Sequence, residues 1–286
     1  MLDHPLPDIN AWVSHFSESS VPVLRATKRR LDEMRQDMDE VDARELSLVV
    51  IQDPLMTARV FFLTQAIGSR SLQRDITTVS SAVMMIGVEP FFKHFNDLST
   101  IEGLLKGRHQ HGLLGVLQII RRAQRAADYA QEWAIWRNDL NMEEVRIAAL
   151  LHDIAEILVW TFAPDLGQEI RAQQLAHSTL RSSEAQINTL GMTFQDIQDE
   201  LVRVWHLPEL LQNLIGSDNA NLRQHNVALA VRLARHSANG WNNPALQDDY
   251  IDIGQLLNIS PEAVRQRIGV DPMPAREADG AEVEPG

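Results

Sequence analysis

Apolar residues recur at helical spacing along almost the whole chain, the pattern of amphipathic helices that each bury one stripe. Val23, Leu24, Ala26, Thr27, Leu31 and Met34 share the inner face of a first predicted helix, with Lys28, Arg29 and Arg30 partly on its wet side. Asp42 followed by Glu45 has the spacing of a capping box and opens a second helix. Within it, Leu46-Ser47-Leu48-Val49-Val50-Ile51 would also suit a buried strand, but the Asp42 start and the Asp53-Pro54 stop favour a helix. Pro54 opens a third helix through Met56, Val60, Phe61 and Leu63 to Gly68. Val79–Ile86 and Pro90–Leu98 supply two short helices parted by Gly87. The expected core of this part is Leu24, Leu31, Leu48, Ile51, Val60 and Leu63.

Gly103 to Gly112 is rich in glycine and polar groups and reads as a linker between two lobes. A long helix is predicted over Gly112–Trp136, with Val116, Leu117, Ile120, Ala123, Ala127, Ala130 and Ala134 as its apolar stripe. Arg121, Arg122 and Arg125 group on the opposite face, which is expected to be solvated, with an Arg125–Asp128 pair. Asn141 and Glu144 form another capping pair. They start the most apolar helix, in which Ile147 to Val159 cover nearly the whole circumference, as in a central buried helix. Helices follow at about Asp165–His177, Ser182–Leu190, Thr193–Val204, Pro208–Ser217, Asn221–Ser237 and Asp248–Leu257, with a last turn at Ser260–Ile268. The fold expected is all-α, a two-lobed helical bundle with domains over 1–105 and 106–270. Residues 271–286, with Arg276 against five acids, read as a disordered acidic tail.

Composition narrows the function classes. Hydrophobic residues are 44% and charged residues 23%, enough apolar mass for a core. The net charge of −13 speaks against general polyanion binding, so no nucleic-acid partner is expected. The absence of cysteine removes disulfides, thiolate metal sites and thiol nucleophiles together. The start lacks a signal-peptide pattern, and no run approaches the ~20 apolar residues of a membrane span. A cytoplasmic location without a membrane partner is the expectation.

His152-Asp153 stands out inside the central apolar stretch, because a buried carboxylate is costly unless paired. Two explanations fit the residues: a metal, since imidazole and carboxylate suit zinc, manganese or iron, or a hydrogen-bonded pair that fixes helix packing. Glu156, one turn on, can pair with His152 or Arg146. His109 and His111 have a chelating i,i+2 spacing, but solvated linker histidines are the simpler reading. His206 reads as a turn residue at a helix junction, whereas His94, His177, His225 and His236 show no evident partner.

Leu150-Leu151-His152-Asp153-Ile154 resembles the signature of the HD superfamily of metal-dependent phosphohydrolases, and three further stretches resemble its HDOD branch. These are Gln52-Asp53-Pro54-Leu55-Met56-Thr57-Ala58-Arg59-Val60, the helix Thr78 to Val88, and the turn Trp205-His206-Leu207-Pro208. The resemblance runs over roughly residues 20–240, in the same order. It also has departures. Where catalytic relatives carry an earlier histidine, this chain offers Arg121 and Arg122; the late helix Val227–Arg235 has no acid. The His pair often seen after the Trp-Leu-Pro turn is replaced by Ile215 to Asn219, the glycine after His-Asp-Ile is Ala155, and the small Asn-Ser step is Gln65-Ala66.

The resemblance therefore implies an HD-like C-terminal lobe without catalytic residues, cofactor or metal. His152 and Asp153 would be a vestigial pair, and Arg121 or Arg122 would neutralise Asp153. The implied function is a free-standing, non-catalytic signalling or regulatory protein that contacts protein partners and is capable of homo-oligomerisation. The alternative is a divergent metal-dependent phosphohydrolase acting on a nucleotide or cyclic dinucleotide. A weaker reading takes Ile253 to Ile268 as a helix-turn-helix, yet Ser260, Pro261 and Glu262 are also ordinary helix-start chemistry, and only Arg265 and Arg267 are basic.

Overall fold

The computed structural model describes residues 1–67, 76–107, 109–177, 179–216 and 221–270, and within these it contains no β-strand, only helices and one isolated parallel bridge between Val23 and Thr100. The acidic segment 271–286 lies outside the described residues, as do Gly68, Arg108 and residues 217–219. The helices are α1 (Ile9–Glu18), α2 (Arg25–Gln36), α3 (Ala43–Val50), α4 (Pro54–Ile67), α5 (Val79–Ile86) and α6 (Val88–His94). A short α7 (Ile101–Leu104) precedes the long α8 (Gln110–Trp136), followed by α9 (Met142–Leu151), α10 (Ile154–Phe162) and α11 (Pro164–Ala176). The chain continues through α12 (Ser182–Leu190), α13 (Phe194–Val204), α14 (Glu209–Ile215), α15 (Leu222–His236), α16 (Leu246–Leu257) and α17 (Pro261–Arg267).

The starts follow local chemistry. Asp42, Thr78, Thr193, Asn221 and Ser260 each accept from a backbone amide of the first turn, satisfying donors the helix itself leaves free. Asn141 is a correction: its side chain makes no cap, and its own amide donates to Asp139 Oδ1 at 3.0 Å. α2 starts at Arg25 rather than Val23, because the backbone of Val23 is used elsewhere. Val23 N–H donates to Ser99 O at 3.0 Å, and Val23 O accepts from Ile101 at 2.9 Å. Asp53 locks the same segment from the other side. It is fully buried and accepts from the amides of Leu24 (2.7 Å), Leu55 (3.0 Å) and Met56 (3.2 Å). Burial pushes the Asp53 carboxyl up, and these amides pull against it.

Leu31, Ile51, Val60 and Leu63 are buried as expected, while Leu24 is half-buried and Leu48 is 60% exposed. Leu48 is a second correction: at helical spacing it falls between the exposed Arg44 and Glu45, on the wet side of α3 opposite the buried Leu46 and Val50. A helix not included in the expectations, α1, buries Trp12, Val13 and Phe16. It packs on α13, far along the chain, where Trp205 Nε1 donates to Ser17 Oγ at 2.9 Å, and its Phe16 meets Phe162 at the end of α10 at a ring distance of 5.9 Å.

α8 is the axis of the second half, touching α9, α10, α11 and α15. Its small inner residues (Ala123, Ala126, Ala127, Ala130 and Ala134) are all buried and allow close helix approach. The helix starts at Gln110, two residues before the expected Gly112, and Gly112 is buried; a Cβ there would lie 2.4 Å from Pro164 Cβ. His109 precedes α8 with Nδ1 3.6 Å from Asp165 Oδ1, and His111 sits in its first turn. Among the described residues no single helix is long and apolar enough to cross a membrane; the apolar stretches Met142–Phe162 and Pro164–Ala176 bend by 112°.

Candidate functional site

The stretch expected to run as one helix through Ile147–Val159 is two. α9 ends at Leu151 and α10 restarts at Ile154, with His152 and Asp153 at the joint. The apolar pattern continues unbroken across it, so periodicity alone does not reveal the break. A break frees backbone groups in the middle of the core, where each needs a partner. Gln198 of α13, only 2% exposed, supplies both: its Oε1 accepts from Ala155 N–H at 2.9 Å and its Nε2 donates to Leu151 O at 3.1 Å. Sequence reasoning missed Gln198, whose only signal is a glutamine on the inner face of an amphipathic helix.

The joint turns Asp153 toward α8 and α15. Arg122 donates to Asp153 Oδ2 through Nε at 3.1 Å and Nη2 at 2.6 Å. Arg235 Nη2 reaches Oδ1 at 3.2 Å, and His152 Nδ1 lies 3.0 Å from the same oxygen. Arg122 Nη2 also donates to Glu156 Oε2 at 2.5 Å. Two guanidinium groups and two carboxylates thus form a closed cluster around a carboxylate that is 7% exposed. Burial raises the Asp153 carboxyl, but the charges of Arg122 and Arg235 and the contact with His152 override it and hold it well below the usual carboxylate range. Burial likewise works against the Arg122 cation, and Glu156 and Asp153 more than offset it.

Of the two arginines named from sequence, Arg122 is the one that turns inward; Arg121 is exposed. Glu156 pairs with Arg122, correcting the expectation of His152 or Arg146, and Arg146 binds Asp128 at 2.6 Å and Gln131 at 2.8 Å. Arg125 is therefore not paired with Asp128. It donates to Tyr129 OH at 3.0 Å and lies 5.6 Å from the Trp241 ring centroid. Arg235, which sequence reasoning did not single out, is the second partner of Asp153.

The HD superfamily implies a metal at this pair, and the residues present do not fit one. A zinc site takes three or four protein ligands and a harder ion about six donors. Here His152 and Asp153 supply two, and the Asp153 lone pairs a cation would need already face two cations. Among the described residues no three His, Asp or Glu side chains gather to hold a metal ion.

Other titratable groups are tied into packing. His236, expected to be without a partner, has Nδ1 2.7 Å from Asp249 Oδ2, and Arg232 Nε lies 2.7 Å from Asp249 Oδ1, joining α15 to α16. His206 occupies a turn with φ of 50°. Arg265 lies over the Tyr250 ring at 5.8 Å and Arg267 over Trp136 at 4.7 Å, so both basic residues of the C-terminal helix-turn-helix reading lean on rings of their own chain.

The HDOD domain matches residues 21–220 of the chain. Among solved structures, a virulence factor from Campylobacter jejuni subsp. jejuni is 16% identical and aligns over 94% of each chain with a TM-score of 0.62. The MmoQ response regulator from Methylococcus capsulatus str. Bath is 17% identical, covers 83% of this chain and 98% of its own, and has a TM-score of 0.59. An HDOD domain protein from Geobacter sulfurreducens is 18% identical over 90% of this chain and 92% of its own, with a TM-score of 0.47. No curated protein matches the chain.

Proposed function

Because the chain belongs to the HDOD domain family, we propose that it is a non-catalytic signalling or regulatory protein that acts in the cytoplasm through contacts with protein partners. One observation carries this reading: at the position where the HD superfamily holds its metal, Asp153 is bound by Arg122 and Arg235. A hydrolytic metal site must fix its ion, keep a position open for water and lower the pKa of that water. A carboxylate engaged at both oxygens by guanidinium groups contributes to none of these steps. It contributes instead to a rigid joint between α8, α9, α10 and α15, on which outer helical surfaces can be displayed to partners. The structural likeness to a protein described as a response regulator supports a signalling context.

Co-purification from native cytoplasm, followed by reconstitution from purified components, tests the reading. It expects a complex of fixed stoichiometry and no phosphodiester hydrolysis with added manganese. Hydrolysis by the isolated chain, with no complex that can be reconstituted, contradicts it.

A further inference from the structure

One stripe of α8 carries Gln118, Arg121, Arg122 and Arg125, at i, i+3, i+4 and i+7, into a cleft of ≈ 490 Å³ bounded by α10, α11 and the end of α15. Arg171 from α11 and Arg235 from α15 complete its lining. Five guanidinium groups face a space whose lining holds one carboxylate, Glu156. That local excess is the reverse of the chain's formal charge of −13.

The internal cluster accounts for two of the five. Arg122 is held by Asp153 and Glu156, and Arg235 touches Asp153 while its side chain stays 50% exposed. The other three have no carboxylate partner among the described residues. Arg171 Nη1 donates to the neutral Gln118 Oε1 at 2.9 Å, Arg125 donates to Tyr129 OH at 3.0 Å, and Arg121 makes no hydrogen bond or ion pair with the described residues. Folding explains Arg122, and Arg125 leans on the Tyr129 and Trp241 rings, but no carboxylate among the described residues offsets the repulsion between these cations in the cleft.

The floor is apolar and tightly built. Ile119, Trp160, Ile170 and Phe194 line it, and the Trp160 ring is 6% exposed. A Cβ on Gly115 would lie 2.0 Å from that ring and one on Gly167 2.6 Å from it. The volume lies within the range of small-molecule sites, ~300–1,000 Å³. Arginine is suited to phosphate because its planar fork presents several donors at once and stays charged.

We propose that this cleft binds a small organic phosphate carrying at least two anionic groups, its phosphates on Arg121, Arg125 and Arg171 and its organic part over the apolar floor. His152 and Asp153 line an adjoining hollow that shares Arg122, Glu156 and Arg235 with the cleft, whereas Arg121, Arg125 and Arg171 line the cleft alone; the proposed phosphate contacts therefore do not include that pair, and the proposal stands apart from the partner-binding reading.

The test is calorimetric titration of the full-length chain, without metal and at fixed ionic strength, using inorganic pyrophosphate and ADP as probes. Saturable 1:1 binding is expected, tighter for ADP than for pyrophosphate. Each lost charge-assisted contact should weaken it by about tenfold or more. The Arg121→Gln/Arg171→Gln variant should therefore lose most of the affinity while keeping its melting temperature, since neither arginine holds a carboxylate. If that double variant does not fold, Arg121→Gln alone, at an exposed side chain with no hydrogen bond or ion pair to the described residues, must already weaken binding. Arg29→Gln on α2, which faces Glu33 at 3.8 Å, serves as the control and should change nothing. No saturable binding of either probe, or affinity equal in the wild type and the Arg121 variants, or equal loss in the Arg29 control, overturns the site. ADP binding no tighter than pyrophosphate overturns the organic part of the ligand.

Discussion

Arg122 Nη2 lies 2.6 Å from Asp153 Oδ2, and this contact joins α8 to the break between α9 and α10. A buried carboxylate needs hydrogen-bond donors or a counter-charge; Asp53 is met by backbone amides, and Asp153 by the guanidinium groups of Arg122 and Arg235. The same pairing closes the joint and takes the lone pairs that a metal would use. Stability and function at this point therefore share one cause, and substitutions can separate them.

Arg122→Gln should destabilise the fold. Removing one member of a buried pair typically costs about 3–5 kcal/mol, because the remaining charge is stranded. Arg235 and His152 stay on Oδ1, so a loss near the lower end of that range is expected. Adding Asp153→Asn to Arg122→Gln should cost less than the sum of the two single changes. Urea denaturation of the four proteins measures this, and strict additivity would show that the two residues do not interact.

The Asp153 carboxyl is held well below its ordinary value, so its contribution to stability is present above the unfolded-state pKa and lost as pH falls. With an unfolded value near ~3.9, the stability gap between wild type and Asp153→Asn should be constant from about pH 7 to pH 5 and shrink below about pH 4. Denaturation midpoints across that range check it. A gap that widens on acidification contradicts the assignment.

Gln198→Leu should cost about 2–4 kcal/mol although leucine suits a core, because Leu151 O and Ala155 N–H each lose a partner worth about 1–3 kcal/mol. Gln198→Glu keeps an acceptor for Ala155 but sets an unpaired carboxylate oxygen against the Leu151 carbonyl in the core, and so should cost at least as much as Gln198→Leu. Thermal unfolding ranks the three chains.

Gly115→Ala should destabilise despite the usual gain of about 1 kcal/mol in helix propensity. A Cβ 2.0 Å from Trp160 forces that ring to move in a packed region, where overpacking costs about 1–3 kcal/mol or more. Trp160→Leu in the same chain should relieve part of the loss. A Gly115→Ala chain as stable as wild type would show that the ring has room to shift.

The all-helical architecture is legible from spacing, and the starts at Asp42 and Ser260 are legible from their caps, whereas the matching pattern at Asn141 makes no cap. The pairing of Asp153 with an arginine of α8 is also legible, because few solutions exist for a buried carboxylate. The break at His152-Asp153 is not. Both flanking helices are buried on every side, so hydrophobicity carries no information about direction there. Leu48 is a different case: its neighbours on the wheel of α3 are Arg44 and Glu45, and that flank, not its own apolarity, gives its direction. The helix Ile9–Glu18 has a readable signal in Ile9, Trp12, Val13 and Phe16, but its packing on α13 joins Ser17 to Trp205 across most of the chain. Helical spacing pairs Arg125 with Asp128, whereas the structure gives Asp128 to Arg146, 18 residues away.

The most direct test of the central claim is elemental analysis of the natively purified chain, joined to a phosphodiesterase assay with added manganese. A carboxylate held by Arg122 and Arg235 predicts no stoichiometric metal and no turnover. About one equivalent of bound metal, with turnover abolished by Asp153→Asn, would contradict it and make the chain a hydrolase.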